Sequence, residues 1–179
     1  MSVKSEYYIE VKLSPSEIAM ATHLASARQS VNRAAGISNR MVGFRDPFEI
    51  DVDGVVGEFA VAKHLNVYPD LTFERRAGGY DIAFRGLRCD VKARPYNNTP
   101  ALQVPEYKKD RDNSDVYILV EVERTNTAIL GFATKDKVFQ DENLVDSVRS
   151  GHRHYELAWE KLTPIGDLYE YAMAQSALS

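Results

Sequence analysis

GGYDIAFRGLRCDVKAR, residues 78–94, is the stretch whose reading decides the fold. Apolar and polar residues alternate on both sides of Arg85-Gly86, which predicts a β-hairpin closed by a two-residue turn. On the first arm Tyr80, Ile82 and Phe84 share one face, with Asp81 and Ala83 on the other. On the second arm Leu87, Cys89 and Val91 lie opposite Arg88, Asp90 and Lys92. If Phe84 pairs with Leu87, Ile82 falls beside Cys89 and Asp81 lies directly across from Asp90. Their Cβ atoms would then be ~4.5–5.5 Å apart, where like charges repel. A hairpin shaped by stability alone would avoid that pair. A bound divalent cation accounts for it, and Lys92 on the same face completes a charged cluster.

The 179 residues are read as a single domain, long enough to bury a core without disulfides. With 44% hydrophobic and 27% charged residues, the composition is that of an ordinary globular chain. The one cysteine, Cys89, has no internal partner and reads as a small buried hydrophobe on the apolar face of the hairpin. No run approaches the ~18 apolar residues of a membrane span, and MSVKSEYY lacks the apolar core of a signal peptide. No membrane partner and a reducing cytoplasm are therefore expected. Net charge is −4, which argues against a generic polyanion binder. Yet residues 72–111 hold nine Lys/Arg against five Asp/Glu, a local +4 that leaves −8 for the remainder. Basic residues gathered around an acidic hairpin suit a site that holds metal ions and a phosphate backbone together.

Along the chain, Tyr7, Ile9, Val11 and Leu13 alternate as in a strand. Ser14-Pro15-Ser16-Glu17 has capping-box spacing and predicts a helix of about twenty residues ending near Gly36. Met20, Leu24, Ala27 and Val31 would face the core, with Gln29 and Arg33 solvated. Residues 37–50 read as a loop broken by Gly43 and Pro47, and Asp53 as the cap of a second helix through about Leu65. Val55, Val56, Phe59, Ala62 and Leu65 form its apolar stripe, and Glu58 falls inside that arc, a costly place for an unpaired carboxylate. Gly57 is expensive in a helix interior and suggests close approach by another backbone. RPYNNTP after the hairpin reads as a loop leading through Gln103 and Tyr107 into charged residues 108–112. DVYILVEVE is the central strand, TAILGFAT the next, residues 135–140 a short helix, and HYELAWEKL a late strand. A C-terminal helix opens at Thr163-Pro164 and carries Leu168, Ala172 and Met173. This order predicts a mixed sheet flanked by helices, an α/β or α+β fold.

Glu58 on a helix, Asp81 on a strand and Asp90-Val91-Lys92 on the next resemble the PD-(D/E)xK nuclease superfamily, which has a restriction-endonuclease-like fold. The resemblance covers a core of about residues 53–134 within the single domain 1–179. DGVVGEFAVAKHL is similar to the superfamily's first core helix, GGYDI with CDVKAR to its catalytic hairpin, and DVYILVEV and ILGFAT to its remaining strands. Tyr80 stands where the signature has proline. The resemblance implies a Mg²⁺-dependent DNA endonuclease, with Mn²⁺ substituting, in restriction, repair or phage DNA processing.

Phosphodiester hydrolysis develops negative charge on the phosphoryl and leaving oxygens, and Mg²⁺ needs only one or two carboxylates because it keeps several waters. The resemblance implies Asp81 and Asp90 as metal ligands, the Val91 carbonyl as a third, and Glu58 on a metal or its water shell. Lys92 would orient and help deprotonate the attacking water, or stabilise the developing charge. Arg75, Arg76, Arg88, Arg94, Lys108 and Lys109 are the expected phosphate contacts. Gln103-x-x-x-Tyr107 superficially resembles the Q-x-x-x-Y element of RecB-type nucleases, although Pro105 fits a helix poorly. His152 and His154 read as surface residues, without the further ligands a zinc site needs. Compact nucleases of this kind often dimerise to cut both strands, which makes a homodimer a further expectation. The alternatives are a catalytically silent module that binds DNA or protein, and a metal-dependent hydrolase that is not a nuclease.

Overall fold

The computed structural model describes residues 8–36, 45–73, 79–97, 99–123, 126–146 and 152–177. Strand β1 (Ile9–Lys12) leads into helix α1 (Pro15–Ala34), which starts as its sequence dictates. The Ser14 hydroxyl accepts from the Glu17 N–H, the Glu17 carboxylate accepts from the Ser14 N–H, and Pro15 occupies the first turn. The buried stripe is Ala21, Leu24 and Ala25. Met20, expected in the core, is 50% exposed. The stripe is rotated from expectation because α1 packs mainly on a second helix, α2 (Pro47–Leu65). Gln29, expected to face solvent only, donates to Asp51 of α2 at 3.3 Å.

Helix α2 begins six residues before the expected cap. Asp46 accepts from the Phe48 N–H at 2.9 Å, and Pro47, anticipated as a breaker, sits in the first turn, where a missing N–H is harmless. Asp53 lies inside the helix and pairs with Arg45 at 2.8 Å. Asn66, left-handed at φ 52°, ends it.

The hairpin is the one its alternation predicts. Strand β2 (Ile82–Phe84) pairs with β3 (Leu87–Pro95) through Phe84–Leu87, Ala83–Arg88 and Ile82–Cys89. Arg85 (φ 48°) and Gly86 (φ 86°) supply the positive φ values that a tight two-residue hairpin turn needs. Beyond it come β4 (Ala101–Pro105), the short helix α3 (Lys108–Arg111), β5 (Val116–Glu123), β6 (Asn126–Thr134), the short helix α4 (Lys135–Val138), β7 (Leu144–Asp146), β8 (Arg153–Ala158) and helix α5 (Leu168–Ser176). The main sheet has the order β1-β6-β5-β3-β2, with β3 and β5 parallel and its other pairs antiparallel. A second sheet, β4-β8-β7, was not anticipated. The segment read as loop and lead-in contains β4, which pairs with β8. In α5, Leu168 and Ala172 are buried as expected, but Met173 is 47% exposed.

The protein is therefore a mixed α/β fold with two cores. Val116, Ile118, Val120 and Val122 of β5 join the core under α1, α2 and α5, while Tyr117 and Leu119 join the core under the small sheet. Coverage on both faces is why β5 is the most continuously apolar run. Among the described residues no helix is long and apolar enough to cross a membrane.

At Gly57, α2 packs tightly on the main sheet. A Cβ built there would lie 2.9 Å from the Ala93 Cβ and 3.5 Å from Val91 Cγ1. The obstructing atom is fixed to backbone and cannot swing aside, so the helix would have to lift. Gly57→Ala is expected to destabilise the protein by about 1–2 kcal/mol despite alanine's better helix propensity. Equilibrium urea unfolding measures this, and a stabilised variant would mean that helix and sheet separate freely.

Candidate active site

Close packing of Gly57 on Val91 and Ala93 assigns one face of β3 to α2. Strand alternation then turns Asp90, Lys92 and Arg94 to the opposite face, toward the small sheet and α3. Asp90 is 1% exposed. Its Oδ1 accepts from the Lys92 Nζ and its Oδ2 from the Lys108 Nζ. Lys108 bridges onward to Asp112 Oδ2 at 2.9 Å. Asp112, 5% exposed, also accepts from the Ser114 hydroxyl at 2.6 Å, the Ser114 N–H at 2.9 Å and the Tyr117 hydroxyl at 3.1 Å. A connected polar chain thus runs Lys92–Asp90–Lys108–Asp112–Tyr117, with two carboxylates balanced by two ammonium groups.

Ionisation follows from those contacts. Burial pushes the Asp112 carboxyl up, but bonds from Ser114 and Lys108 outweigh it and hold the group below its ordinary value. Burial works against the Lys108 ammonium, yet Asp90 and Asp112 more than compensate and raise it. Burial, then the charges of Asp112 and Asp90, pushes the Tyr117 phenol up, so it remains a neutral donor. Cys89 is fully buried and its thiol is pushed up to about 12 by burial, which suits the expected inert role.

Asp81 does not extend the ladder opposite Asp90. Strand β2 stops at Ile82, the Asp81 N–H donates to the Cys89 carbonyl at 2.9 Å, and the Asp81 carboxylate accepts from the Val91 N–H at 2.7 Å. A side chain thereby replaces the backbone partner that Val91 would otherwise take from β2. Glu58 lies on α2, the helix packed on the Val91 face. Arg28 of α1 grips both its oxygens, at 3.2 and 2.9 Å, and also donates to the carbonyls of Asp70 and Thr72. This clamp ties α1, α2 and the segment after α2 together, and it explains how a carboxylate is tolerated inside an apolar arc. Among the described residues, no three His, Cys, Asp or Glu side chains cluster at metal-binding spacing.

Asp81 and Asp90 carry the hard oxygens that Mg²⁺ prefers, but both oxygens of Asp90 already accept from ammonium groups. A cation at Asp90 has to displace Lys92 or Lys108. The residues fit the ion by donor chemistry, not by the contacts they make here.

The expected phosphate contacts separate. Arg75 and Arg76 lie outside the described residues. Arg88 is engaged by Asp115 through its backbone N–H, Nε and Nη2 at 2.7–3.0 Å. Lys108 belongs to the buried chain, and Lys109 sits at the surface over the Tyr155 ring. Arg94 is half-buried and donates to the Gln103 Oε1. Gln103 is on a strand, not the helix of the element it resembles, and together with Tyr107 it lines a cleft of about 700 Å³ at the C-terminal end of β3. His154, expected at the surface, is half-buried in that cleft, 3.3 Å from Glu156.

Sequence reasoning missed Arg28, Asp112, Tyr117 and Glu156. Arg28 carried a signal: it falls seven residues after Ala21 and four after Leu24, a cation on α1's buried stripe to match the anion on α2's. Asp112 carried the four-residue spacing from Lys108. Comparison with protein-family models, curated proteins and solved structures finds no match for this chain.

Proposed function

We propose that the protein is a metal-dependent phosphodiester hydrolase acting on DNA, with the β2–β3 hairpin as its reactive element. The observation that carries this reading is the Asp90–Lys92 pair: a buried carboxylate on a sheet strand holding a lysine that is 22% exposed at its side chain. Among the described residues the Lys92 ammonium has one carboxylate partner, so it retains donors for a water or a phosphoryl oxygen. Asp90 fixes Lys92 in place, and the Asp81–Val91 bond fixes the hairpin register beside it. Mg²⁺ or Mn²⁺ held by Asp81 and Asp90 would supply Lewis-acid stabilisation of the charge that develops on phosphate.

One observation favours a second reading, a module with this fold that binds DNA or protein without cutting. Asp90 and Glu58 are each already engaged by cations of the chain itself. The two readings part on supercoiled plasmid incubated with Mg²⁺, Mn²⁺ or EDTA and resolved on agarose. Nicked or linear product that requires the metal and is lost in Lys92→Ala is the expected result. Absence of cleavage by the unmodified protein on plasmid, branched DNA, single strands and RNA would leave the binding module.

A further inference from the structure

The cleft beside the proposed catalytic pair contains a cation that makes no direct carboxylate contact among the described residues. Arg45 pairs with Asp53 at 2.8 Å, and Arg153 pairs with Glu106 at 2.5 Å. Arg94 differs. Its one hydrogen-bond partner among the described residues is the neutral Gln103, which passes the contact on to Glu156. Glu156 in turn lies 3.3 Å from His154. A guanidinium stays charged in a protein and offers five donors, so a half-buried one facing a neutral amide leaves donors for an anion. Burial lowers the guanidinium from its ordinary value, and only the more distant Glu156 charge opposes that. The walls around it are not those of a bare anion site. Ile50, Pro95, Pro105 and the Tyr107 ring line the same space, giving flat apolar surface next to the charge. About 700 Å³ is room for a nucleotide rather than for one small ion.

Position on the strand sharpens this. Lys92 and Arg94 are two residues apart on one face of β3, so their Cα atoms are about 6.6 Å apart. That step is comparable to the spacing of neighbouring phosphates along a nucleic-acid strand. We propose that Arg94 binds the phosphate one nucleotide removed from the one addressed by Lys92, with the intervening nucleotide seated in the cleft against Tyr107. The inference rests on the hydrolase reading only for the identity of the phosphate at Lys92.

The test is a binding measurement in EDTA, where no cleavage occurs: fluorescence anisotropy of a 5′-fluorescein-labelled single-stranded decamer, competed by pT or pTpT. On the unmodified protein, pTpT should compete at least tenfold better than pT. Arg94→Gln should erase that advantage, weaken decamer binding about tenfold, and make the slope of log K against log salt shallower by about 0.7, one phosphate's worth on a single strand. Tyr107→Ala, at an exposed position, should weaken the decamer about fivefold or more through lost stacking. Equal competition by pT and pTpT on the unmodified protein, or an unchanged salt slope in Arg94→Gln, overturns the proposal. Plasmid cleavage that is unaffected by Arg94→Gln would also overturn it while leaving the hydrolase intact. Normal binding effects with no cleavage would leave the cleft intact and remove the hydrolase.

Discussion

Asp90→Ala should destabilise the protein by about 3–5 kcal/mol, a large share of the ~5–15 kcal/mol that holds a typical domain folded. The substitution keeps the strand and opens little volume. What it removes is the counter-charge of two ammonium groups, on side chains that are 22% and 19% exposed. Lys92 can turn toward water, and Lys108 keeps Asp112, so the lower end of the range is the expected value. Asp90→Asn preserves shape and one acceptor but not charge, and should fall between Asp90→Ala and the unmodified protein. Urea unfolding of the three proteins at pH 7 measures the series. A loss below about 1 kcal/mol for Asp90→Ala would mean that the pair behaves as a solvent-screened surface bridge.

Pairing of this strength bears on chemistry as well as stability. Replacing one of a buried carboxylate's two ammonium partners with a divalent cation exchanges a charge-assisted hydrogen bond for metal coordination. If the exchange occurs, the displaced lysine is freed beside the metal's ligand, where it can act on water or phosphate. If it does not, the same contacts make a rigid and inert strand. The hydrolase and the silent module differ in that one equilibrium.

Local chemistry makes much of this fold legible in the sequence. The hairpin register followed from one turn and strict alternation, and β5 from a run apolar on both faces. The capping box set the start of α1. The small sheet was not readable because β4 and β7 have five and three residues, too few for a period to stand out. Pro105 masked the end of β4, yet it is tolerated there opposite His154 at the strand terminus. The start of α2 differs from expectation because a proline signals a stop as readily as a start, and Asp46 before Pro47 makes it a start. Glu58, Asp90 and Lys92 stand out in the sequence by residue type and spacing, but their partners do not. Arg28 lies thirty positions from Glu58 and Lys108 eighteen from Asp90, and only tertiary packing brings them together. The β2–β3 ladder ends before Asp81 and Asp90 for a local reason, since the Asp81 carboxylate accepts from the Val91 N–H and takes the place of a backbone partner.

Lys92→Ala and Lys108→Met should separate the two lysines that share Asp90. Among the described residues Lys92 has one carboxylate partner and retains donors, so if the protein is the proposed hydrolase its loss should lower metal-dependent cleavage by about 10²–10⁴-fold. Its effect on unfolding should be small, because Lys108 still neutralises Asp90. Lys108 holds two buried carboxylates, so Lys108→Met should destabilise by about 3 kcal/mol at neutral pH. The pH profile distinguishes this from a simple packing defect. Asp112 is held below its ordinary value of 3.8, with Lys108 among the causes. A carboxyl depressed in the folded state contributes stability that is present above its unfolded value and lost as pH falls through the folded one. Removing Lys108 deletes part of that contribution, so the penalty of Lys108→Met should be full at pH 7 and shrink below about pH 4, where the unfolded carboxyls take up protons too. Denaturant melts of both proteins from pH 3 to pH 8 measure it. A penalty independent of pH would assign the loss to the lysine's alkyl chain. Cleavage lost equally in both variants at equal stability would make the two lysines one functional unit, with Asp90 as its hinge.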